Sequence, residues 1–391
     1  MDFELSEEHK MIQQNVRQFM VKEIAPLAEQ IDEEDQFPPG IWKKMGDLGF
    51  LGVSIDEKYG GSGFDLLAAV LIIEQMARVC PGLALSFGAH SNLCCDNIHR
   101  NADEEQKMKY LPGLCSGDLI GCLALTEPNA GSDAVSIRTN AVRDGDHFVL
   151  NGSKMFITNA PVGNVLVTYA KTSPGKRAQG ITAFIVENEF PGLTLPPKLK
   201  KMSNRGSPTG EMIFEDCRVP VENVEGVVDG GINVMMSGLD VERAFFAGEP
   251  LGIAQGAFEL GLKYSKEREQ FGEPICNFQM TKTKLADMYV EVEAARGLVY
   301  RAAVLADQAD RGGKGTEVHK LSASAMLFAG ETATRVAASA MQIHGGYGYM
   351  LEYPINRFYR DAKFYEVGAG TSEIRRLVIA DEIIRRGLEY V

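Results

Sequence analysis

The stretch "GLDVERAFF" places ionisable and aromatic side chains at helical spacing. Asp240 and Arg243 are three residues apart, so on a helix they can form an ion pair. Phe245 and Phe246 follow Glu242 by three and four residues and therefore share its face. A carboxylate packed against phenyl rings loses water, which raises its pKa and makes it a better base for a weakly acidic proton. The competing interpretation, which spacing alone favours, is a solvated carboxylate near a helix start that the helix dipole stabilises.

A second stretch, "YEVGAGTSEIRR", removes almost every side chain just before a predicted helix. Gly368, Ala369 and Gly370 are followed by Thr371 and Glu373, residue types that favour a helix start. Such a run of small residues indicates either a tight turn or a large ligand lying against the backbone.

Three further segments combine glycines with polar side chains. "LALTEPNAGSD" offers hydroxyls and backbone N–H groups on a bend, which can hold a polar ligand edge, although a plain loop is the simpler interpretation. "QIHGGYGY" can be a helix C-cap, and Arg268 in "SKEREQFG" can be a surface ion-pair residue. P-loop, dinucleotide-binding, zinc-protease and nucleophile-elbow motifs are absent from the sequence.

Composition narrows the class of protein. The chain has 391 residues, a formal net charge of -13 and seven scattered cysteines. The acidic balance argues against nucleic acid as a main partner, and the cysteine spacing predicts no metal site and a reducing compartment. No apolar run is long enough for a membrane span, and the first residues resemble neither a signal nor a transit peptide. We expect a bacterial cytoplasmic protein or, in a eukaryote, a processed form in the mitochondrial matrix.

The elements that must position these segments fall into three blocks. Residues 1–120 have helical patterning, with Ser6 as a cap and an apolar, buried helix in "FDLLAAVLIIEQMARVC". Residues 121–228 alternate strand signals with turns, including the dipeptides Asp144-Gly145 and Asn151-Gly152, and predict an antiparallel β domain. Residues 229–391 return to long amphipathic helices. The fold class is therefore α+β.

Taken together, these segments resemble the acyl-CoA dehydrogenase family over nearly the whole chain. "FGAHSNLC", "MSGLDVER" and "YEVGAGTSE" most resemble its isovaleryl-CoA branch. The resemblance implies an N-terminal helical domain, a middle β domain and a C-terminal four-helix bundle, with FAD as cofactor and a homotetrameric assembly. It also implies α,β-dehydrogenation of an acyl-CoA, with electrons passed to electron transfer flavoprotein.

The resemblance further implies roles for individual residues. The flavin ring and its attachments are expected at Leu125, Thr126, Ser132, Phe156, Thr158, Gln342, Gly345, Gly346, Thr371 and Glu373, with Arg268 and Gln279 reaching the FAD of a neighbouring subunit. The acyl-CoA is expected at Ser132, Asp240, Arg243, Phe245, Phe246, Ala369 and Gly370, and the backbone N–H of Ala369 is expected to face the thioester oxygen.

The resemblance also points to the base. Many members carry a carboxylate at the position of Ala369, whereas the isovaleryl branch carries it on the helix that here holds Glu242. We therefore predict Glu242 as the base and a short branched or substituted acyl group as substrate. Phe245, Phe246 and Glu249 depart from the isovaleryl pattern, which leaves cyclic, aromatic and dicarboxylic acyl groups (glutaryl or benzylsuccinyl types) as alternatives. A second carboxylate on the substrate would need an arginine, and Arg100 is a candidate if the fold brings it to the pocket.

Two alternatives of another kind also remain. The same fold could pass electrons to oxygen as an acyl-CoA oxidase, or it could have lost catalysis and serve as an interaction protein.

Overall fold

The N-terminal part of the computed structural model is helical. The structure describes residues 4–173, 175, 177–308 and 316–387. Ser6 caps the first helix by accepting a hydrogen bond from the His9 N–H, as predicted. The helices are α1 Glu7–Phe19, α2 Ala28–Glu34, α3 Ile41–Asp47, α4 Leu66–Ala77, α5 Pro81–Gly88, α6 Asn97–Asn101 and α7 Glu104–Ser116, with a π-helical segment at Ala89–Asp96. Every residue of α4 is buried, which confirms the expectation from its uninterrupted apolar sequence.

A single large sheet forms the middle of the chain. Its strands are β1 Gly121–Ala124, β2 Asn140–Asp144, β3 His147–Thr158, β4 Val165–Lys171, β5 Ile181–Glu187, β6 Leu193–Thr194, β7 Thr209–Pro220 and β8 Val224–Glu225. The order is β6-β7-β3-β2-β4-β5-β8, with β1 paired to β4. Most pairs are antiparallel, as predicted, but β1–β4 and β2–β4 run parallel. The sheet is therefore mixed where it adjoins the N-terminal helices.

The two dipeptides predicted as turns behave differently. Asp144-Gly145 lies at the end of β2, and Gly145 has a φ of +63°, which confirms a hairpin turn. The prediction for Asn151-Gly152 was wrong, because both residues lie inside β3 at a break in its register with β7. A Cβ on Gly152 would lie 2.6 Å from the Thr139 hydroxyl oxygen, so the glycine permits close approach within the sheet.

Long helices form the C-terminal part. They are α8 Gly231–Phe246, α9 Gly248–Glu267, α10 Gln279–Gln308, α11 Glu317–His344, α12 Pro354–Ala362, α13 Phe364–Val367 and α14 Ser372–Arg386, with a small ribbon of β9 Glu269–Gln270 and β10 Glu273–Pro274. Helices α8 to α11 pack against one another, and α8, α9 and α10 also pack against α4. Pro250 has no N–H to donate to Phe246, which fits the break between α8 and α9. Among the described residues, no helix is both long and apolar enough to cross a membrane.

Candidate active site

A narrow cavity lies where the N-terminal helices, the sheet and α8 meet. It encloses about 20 Å³, which is room for about one water molecule and far below the volume of a typical ligand pocket. Its lining comes from the π-helical segment and α6, from β1, β4 and the loop after β1, and from α8: Asn92, Leu93, Asn97, Arg100, Leu123, Leu125, Tyr169, Met235, Gly238, Leu239 and Glu242. The cavity therefore exists only when all three parts of the chain are folded together.

Glu242 is the carboxylate of this cavity. Its side chain is half-buried on α8. Burial raises the pKa of Glu242 to about 7, while the positive charges of Arg243, Arg375 and Arg100 act in the opposite direction. A carboxylate with this pKa is ionised in part at neutral pH and is a much stronger base than an exposed glutamate.

Arg375 connects Glu242 to the small-residue turn, and sequence reasoning missed it. Its guanidinium is buried and donates hydrogen bonds to the carbonyl oxygens of Tyr365 at 2.5 Å, Gly368 at 2.7 Å and Ala369 at 3.5 Å. Burial, followed by the charge of Arg243, lowers the pKa of Arg375 to about 10. The two adjacent arginines in "SEIRR" were only a weak signal of this buried cation, because the sequence alone does not show which of them faces the interior.

Two separate constraints explain the small side chains in the turn at Gly368–Gly370. Ala369 has a φ of +51° and Gly370 a φ of +84°, so two successive residues adopt left-handed conformations. A Cβ on Gly368 would lie 2.4 Å from the Phe364 ring, so that glycine is required by packing within the turn. Around Gly370 a Cβ would meet no described atom within 4 Å, which leaves open space on one side of the turn.

Asp240 and Arg243 form the predicted ion pair. Arg243 donates to Asp240 at 3.1 Å, and His319 Nδ1 lies 2.7 Å from the same Asp240 oxygen. Asp240 is buried beneath these partners, and Arg243 is 9% exposed. The pair thus ties α8 to α11 next to Glu242, and its contact with CoA stays a prediction.

Phe245 and Phe246 lie in the core beside the cavity and do not line it. Their rings meet edge to face at 5.2 Å, and Phe245 lies 6.3 Å from the ring of Phe87. Phe246 packs so closely on Gly88 that a Cβ there would lie 2.7 Å from its ring. The structure thus packs both rings against α5, and neither ring borders the described cavity.

The loop after β1 is held by a buried ion pair. Lys154 on β3 donates to Glu127 at 2.8 Å and to the Leu125 carbonyl at 3.2 Å. Glu127 in turn accepts from the backbone N–H groups of Arg138 and Thr139. Burial lowers the pKa of Lys154 to about 8 even though Glu127 opposes this. These contacts fix Leu125 at the edge of the cavity.

The same loop lies next to β3, which carries Phe156 and Thr158, two residues predicted to contact the flavin. The Met155 N–H donates to the Thr126 carbonyl at 2.9 Å, so Thr126 adjoins the end of β3 that carries Phe156 and Thr158. Phe156 has a φ of +61° and is 64% exposed. An exposed phenyl ring on a strained backbone is suited to cover a planar ligand.

A second cavity gathers other predicted cofactor residues. Arg268, Gly345 and Gly346 line it, together with Tyr264, Gln270, Ile275, Ile343, His344, Tyr347 and Met350. Arg268 lies over the Tyr347 ring at 5.5 Å, and a Cβ on either glycine would meet no described atom within 4 Å. Backbone without side chains beside a cation suits a phosphate-bearing ligand.

The remaining predicted cofactor residues are spread over the surface. Ser132, Gln279, Gln342 and Glu373 are exposed, and Thr371 accepts a hydrogen bond from the Ile374 N–H as the cap of α14. Within this single chain they do not converge on one pocket. Among the described residues no group of three or more His, Cys, Asp or Glu side chains could hold a metal ion.

Comparison with known proteins decides the family. Models of the acyl-CoA dehydrogenase N-terminal, middle and C-terminal domains match residues 6–118, 122–217 and 229–384. The chain belongs to the acyl-CoA dehydrogenase family. This confirms the fold and the enzyme class that the sequence motifs predicted.

Individual family members are similar over almost the whole chain. Isovaleryl-CoA dehydrogenase, mitochondrial, from Pongo abelii is 47% identical over 96% of this chain and 88% of its own length. Acyl-CoA dehydrogenase, short-chain specific, from Clostridium acetobutylicum is 43% identical over 98% of this chain and 100% of its own length.

Solved structures of similar proteins share the fold of this chain. A glutaryl-CoA dehydrogenase in complex with glutaryl-CoA is 39% identical, with a TM-score of 0.94 over 100% of this chain and 98% of its own. A chain from the structure described as the electron transferring flavoprotein of Acidaminococcus fermentans is 40% identical, with a TM-score of 0.95 over 98% of this chain and 100% of its own.

FAD is the cofactor of this acyl-CoA dehydrogenase, as it is throughout the family. The residues present fit FAD. Arg268, Gly345 and Gly346 line the second cavity, which suits the phosphate groups. The exposed ring of Phe156 and the side chain of Thr158 lie next to the loop after β1, which borders the cavity that contains Glu242. The bound flavin supplies a hydride acceptor, a function that no amino-acid side chain provides.

Proposed function

We propose that this acyl-CoA dehydrogenase oxidises a short branched or substituted acyl-CoA to the 2-enoyl-CoA, with Glu242 as the base. The observation that carries the proposal is the position of Glu242 in the central cavity, with its pKa raised to about 7 by burial and a buried cation, Arg375, between it and the Ala369 turn. Residue 369 is alanine and offers no carboxylate, so Glu242 is the carboxylate that lines the described cavity.

The chain's own groups have distinct tasks in this reaction. Glu242 takes the α-proton, and the Ala369 N–H donates to the thioester oxygen as negative charge develops there. Arg375 positions the turn by holding the carbonyl oxygens of Gly368 and Ala369. Asp240 and Arg243 are proposed to contact the CoA portion together with Ser132, next to the point where α8 meets α11.

The packing of Phe246 supports a short acyl group. Its ring fills the space next to Gly88 on α5. A long acyl chain that extended in this direction would have to displace this buried ring, which costs packing energy.

We further propose a homotetramer that passes electrons to electron transfer flavoprotein. Arg268 and Gln279 would then reach the FAD of a neighbouring subunit, which explains why the predicted cofactor residues do not converge within one chain. Large apolar side chains are exposed nearby, with Phe271 at 97% and Met280 at 73%, which supports burial against another copy. The proposed domains are residues 1–120, 121–228 and 229–391, and the proposed compartment is the bacterial cytoplasm or the mitochondrial matrix.

The Glu242→Gln variant tests the base. Purified enzyme with bound FAD is mixed anaerobically with isovaleryl-CoA and other short acyl-CoAs, and bleaching of the flavin absorbance is followed. We expect the variant to retain FAD and bind acyl-CoA but to lose roughly 10²- to 10⁴-fold in the rate of reduction, the usual contribution of a general base.

Glu189→Gln is the matched control, because Glu189 is exposed in a turn of the middle domain. It should reduce at the wild-type rate. Normal reduction by Glu242→Gln would remove Glu242 as the base, and reduction of the wild type by long-chain acyl-CoAs only would remove the proposed substrate class.

A further inference from the structure

The wall that the N-terminal part contributes to the cavity at Glu242 is π-helical. Helix α5 continues into the π-helical segment Ala89–Asp96 and then into α6, and the residues at the two junctions, Ala89 and Asn97, keep right-handed helical dihedrals. π-helical turns are rare and occur often at functional sites. Residues five apart share a face of such a turn, whereas on an α-helix they point about 140° apart.

Two pairs of residues five apart show this register. Asn92 and Asn97 both line the cavity, together with Leu93. On another side of the segment, Cys95 Sγ lies 3.5 Å from His90 Nε2. A purely α-helical segment would turn one of the two asparagines away, so the π-helical register decides which side chains face the cavity.

His90 ties the π-helical segment to two neighbouring elements. It is fully buried, and the Gly121 N–H at the start of β1 donates to its Nδ1 at 2.9 Å. Because a backbone N–H can only donate, Nδ1 is the acceptor and the ring proton lies on Nε2. Nε2 in turn lies 3.0 Å from the carbonyl oxygen of Leu114 on α7, to which it donates.

The surroundings of His90 favour this neutral form. Burial lowers the pKa of His90 to about 4, although the hydrogen bond to the Leu114 carbonyl opposes this. The Trp42 ring lies 5.1 Å from the imidazole, measured between ring centroids, and covers it. His90 therefore keeps both hydrogen bonds at neutral pH and holds the segment in place.

The segment also fits tightly against β1. A Cβ on Gly121 would lie 2.6 Å from both the Cβ and the Sγ of Cys94. Leu123 of the same strand lines the cavity. Because the cavity has room for about one water molecule, a small displacement of this wall changes which acyl groups can enter.

We propose that His90 is a positioning residue for substrate selection, because its two hydrogen bonds hold the π-helical segment in the register that places Asn92 and Leu93 against the acyl group. The inference rests on the proposed function, which supplies the acyl group as ligand. A pocket wall that gains or loses room for one methylene changes the discrimination between substrates by about 10- to 200-fold.

The test measures selectivity with isovaleryl-CoA and butyryl-CoA, which have the same main chain and differ by one methyl branch. For each FAD-loaded enzyme, the ratio of the two second-order rate constants of anaerobic flavin reduction is determined. Both substrates meet the same enzyme, so a loss of folded protein cancels in the ratio. His90→Phe fills the ring space without either hydrogen bond and should bring the two rate constants closer by about 10-fold.

Two further variants act on the same contacts if His90→Phe folds poorly. The shorter amide of His90→Asn can still accept from the Gly121 N–H but does not reach Leu114, so the ratio should change by about threefold. Gly121→Ala keeps His90 and pushes on Cys94 from β1, so it should also change the ratio. Leu150→Ala is the control, because Leu150 is fully buried in a separate core cluster of the sheet and its loss should leave the ratio within about twofold.

Hydrogen exchange then locates the change. Peptides that cover residues 89–97 should exchange faster in the His90 variants than in the wild type and Leu150→Ala. A shifted ratio with unchanged exchange in this segment would overturn the proposal, because His90 would not act through the π-helical register.

The outcomes separate this proposal from the proposed function. A ratio that stays the same in His90→Phe, His90→Asn and Gly121→Ala shows that His90 only supports the fold, and leaves the proposed function standing. Equal rate constants for both substrates in the wild type also overturn the role of His90, because the wall would then select nothing. A wild type whose flavin is reduced by no short acyl-CoA overturns the proposed function itself.

Discussion

Two glutamates, seven residues apart on consecutive helices, have opposite surroundings. Glu242 on α8 borders the cavity and lies within reach of Arg243, Arg375 and Arg100. Glu249 on α9 is fully buried, and its carboxyl oxygens have no hydrogen-bond partner among the described residues. Its electrostatic neighbours are Tyr365, whose hydroxyl favours the ionised form, and Asp361, whose charge opposes it.

The difference shows that burial alone does not make a base. Burial raises the pKa of both carboxyls, but the pKa of Glu249 rises well above its usual value, while nearby arginines keep that of Glu242 near 7. Burial without a cation beside it therefore favours the neutral acid at Glu249, which suits Glu249 less well than Glu242 to accept a proton. Glu249 borders neither the cavity that contains Glu242 nor the one at Arg268.

The strongest challenge to this comparison is to convert each glutamate separately to glutamine. Glu242→Gln should slow flavin reduction by roughly 10²- to 10⁴-fold, whereas Glu249→Gln, which resembles a protonated glutamic acid in shape, should stay within a few-fold of wild type. Stopped-flow reduction with isovaleryl-CoA measures both. A comparable loss in Glu249→Gln would show that the two acids act together.

A smaller effect is expected from removing one of the cations near Glu242. Arg375 lowers the pKa of Glu242, so Arg375→Met should raise it and shift the acidic limb of the kcat/KM profile upward by up to ~1 pH unit. In the wild type this limb should have its midpoint near pH 7, with activity rising as Glu242 loses its proton. The neighbouring Arg376→Met is the control, because Arg376 is exposed and pairs with Glu331 at 2.5 Å.

If both arginine variants show the same pH profile, the charge of Arg375 does not act on Glu242. Thermal unfolding of the two variants distinguishes an effect of this charge on Glu242 from a loss of stability in the turn at Gly368–Gly370. Arg375→Met leaves the buried carbonyl of Tyr365 and the partly buried carbonyl of Gly368 without their donor, so this variant should be less stable by ~1–3 kcal/mol even where the pH profile is unchanged.

The smallest effect concerns stability and not catalysis. The folded-state pKa of Glu249 is raised above its unfolded value, so its contribution is fully present below about pH 4.5 and is lost as pH rises towards the folded-state pKa. Glu249→Gln carries no such penalty. The variant should therefore gain in stability relative to the wild type as pH rises above about 5, with a slope of up to ~1.4 kcal/mol per pH unit.

Urea unfolding of the wild type and Glu249→Gln at several pH values measures this difference. Lys154 and Glu127 are unchanged between the two proteins, so their own titration cancels in the comparison. A difference that is constant with pH would mean that Glu249 titrates normally and is not sealed in the core.

Local sequence patterns predicted much of the molecule, because they depend on neighbours along the chain. The Ser6 cap, the buried helix α4, the Asp144-Gly145 turn and the Asp240–Arg243 pair all follow from spacing within a few residues. Joint occurrence of the family segments predicted the family, the fold, the enzyme class and FAD. The same approach failed at Asn151-Gly152, because the register break with β7 is a contact between distant strands.

What the tertiary structure decided is which side chains meet. The sequence by itself placed Glu242, Phe245 and Phe246 on one helical face, but packing against α5 puts the two rings in the core, away from the cavity that Glu242 borders. The sequence alone could not show that Arg100 and Arg375, which are far apart along the chain, both lie near Glu242 in the folded protein. A pKa depends on burial and on charges close in space, and both are properties of the folded chain that no local spacing contains.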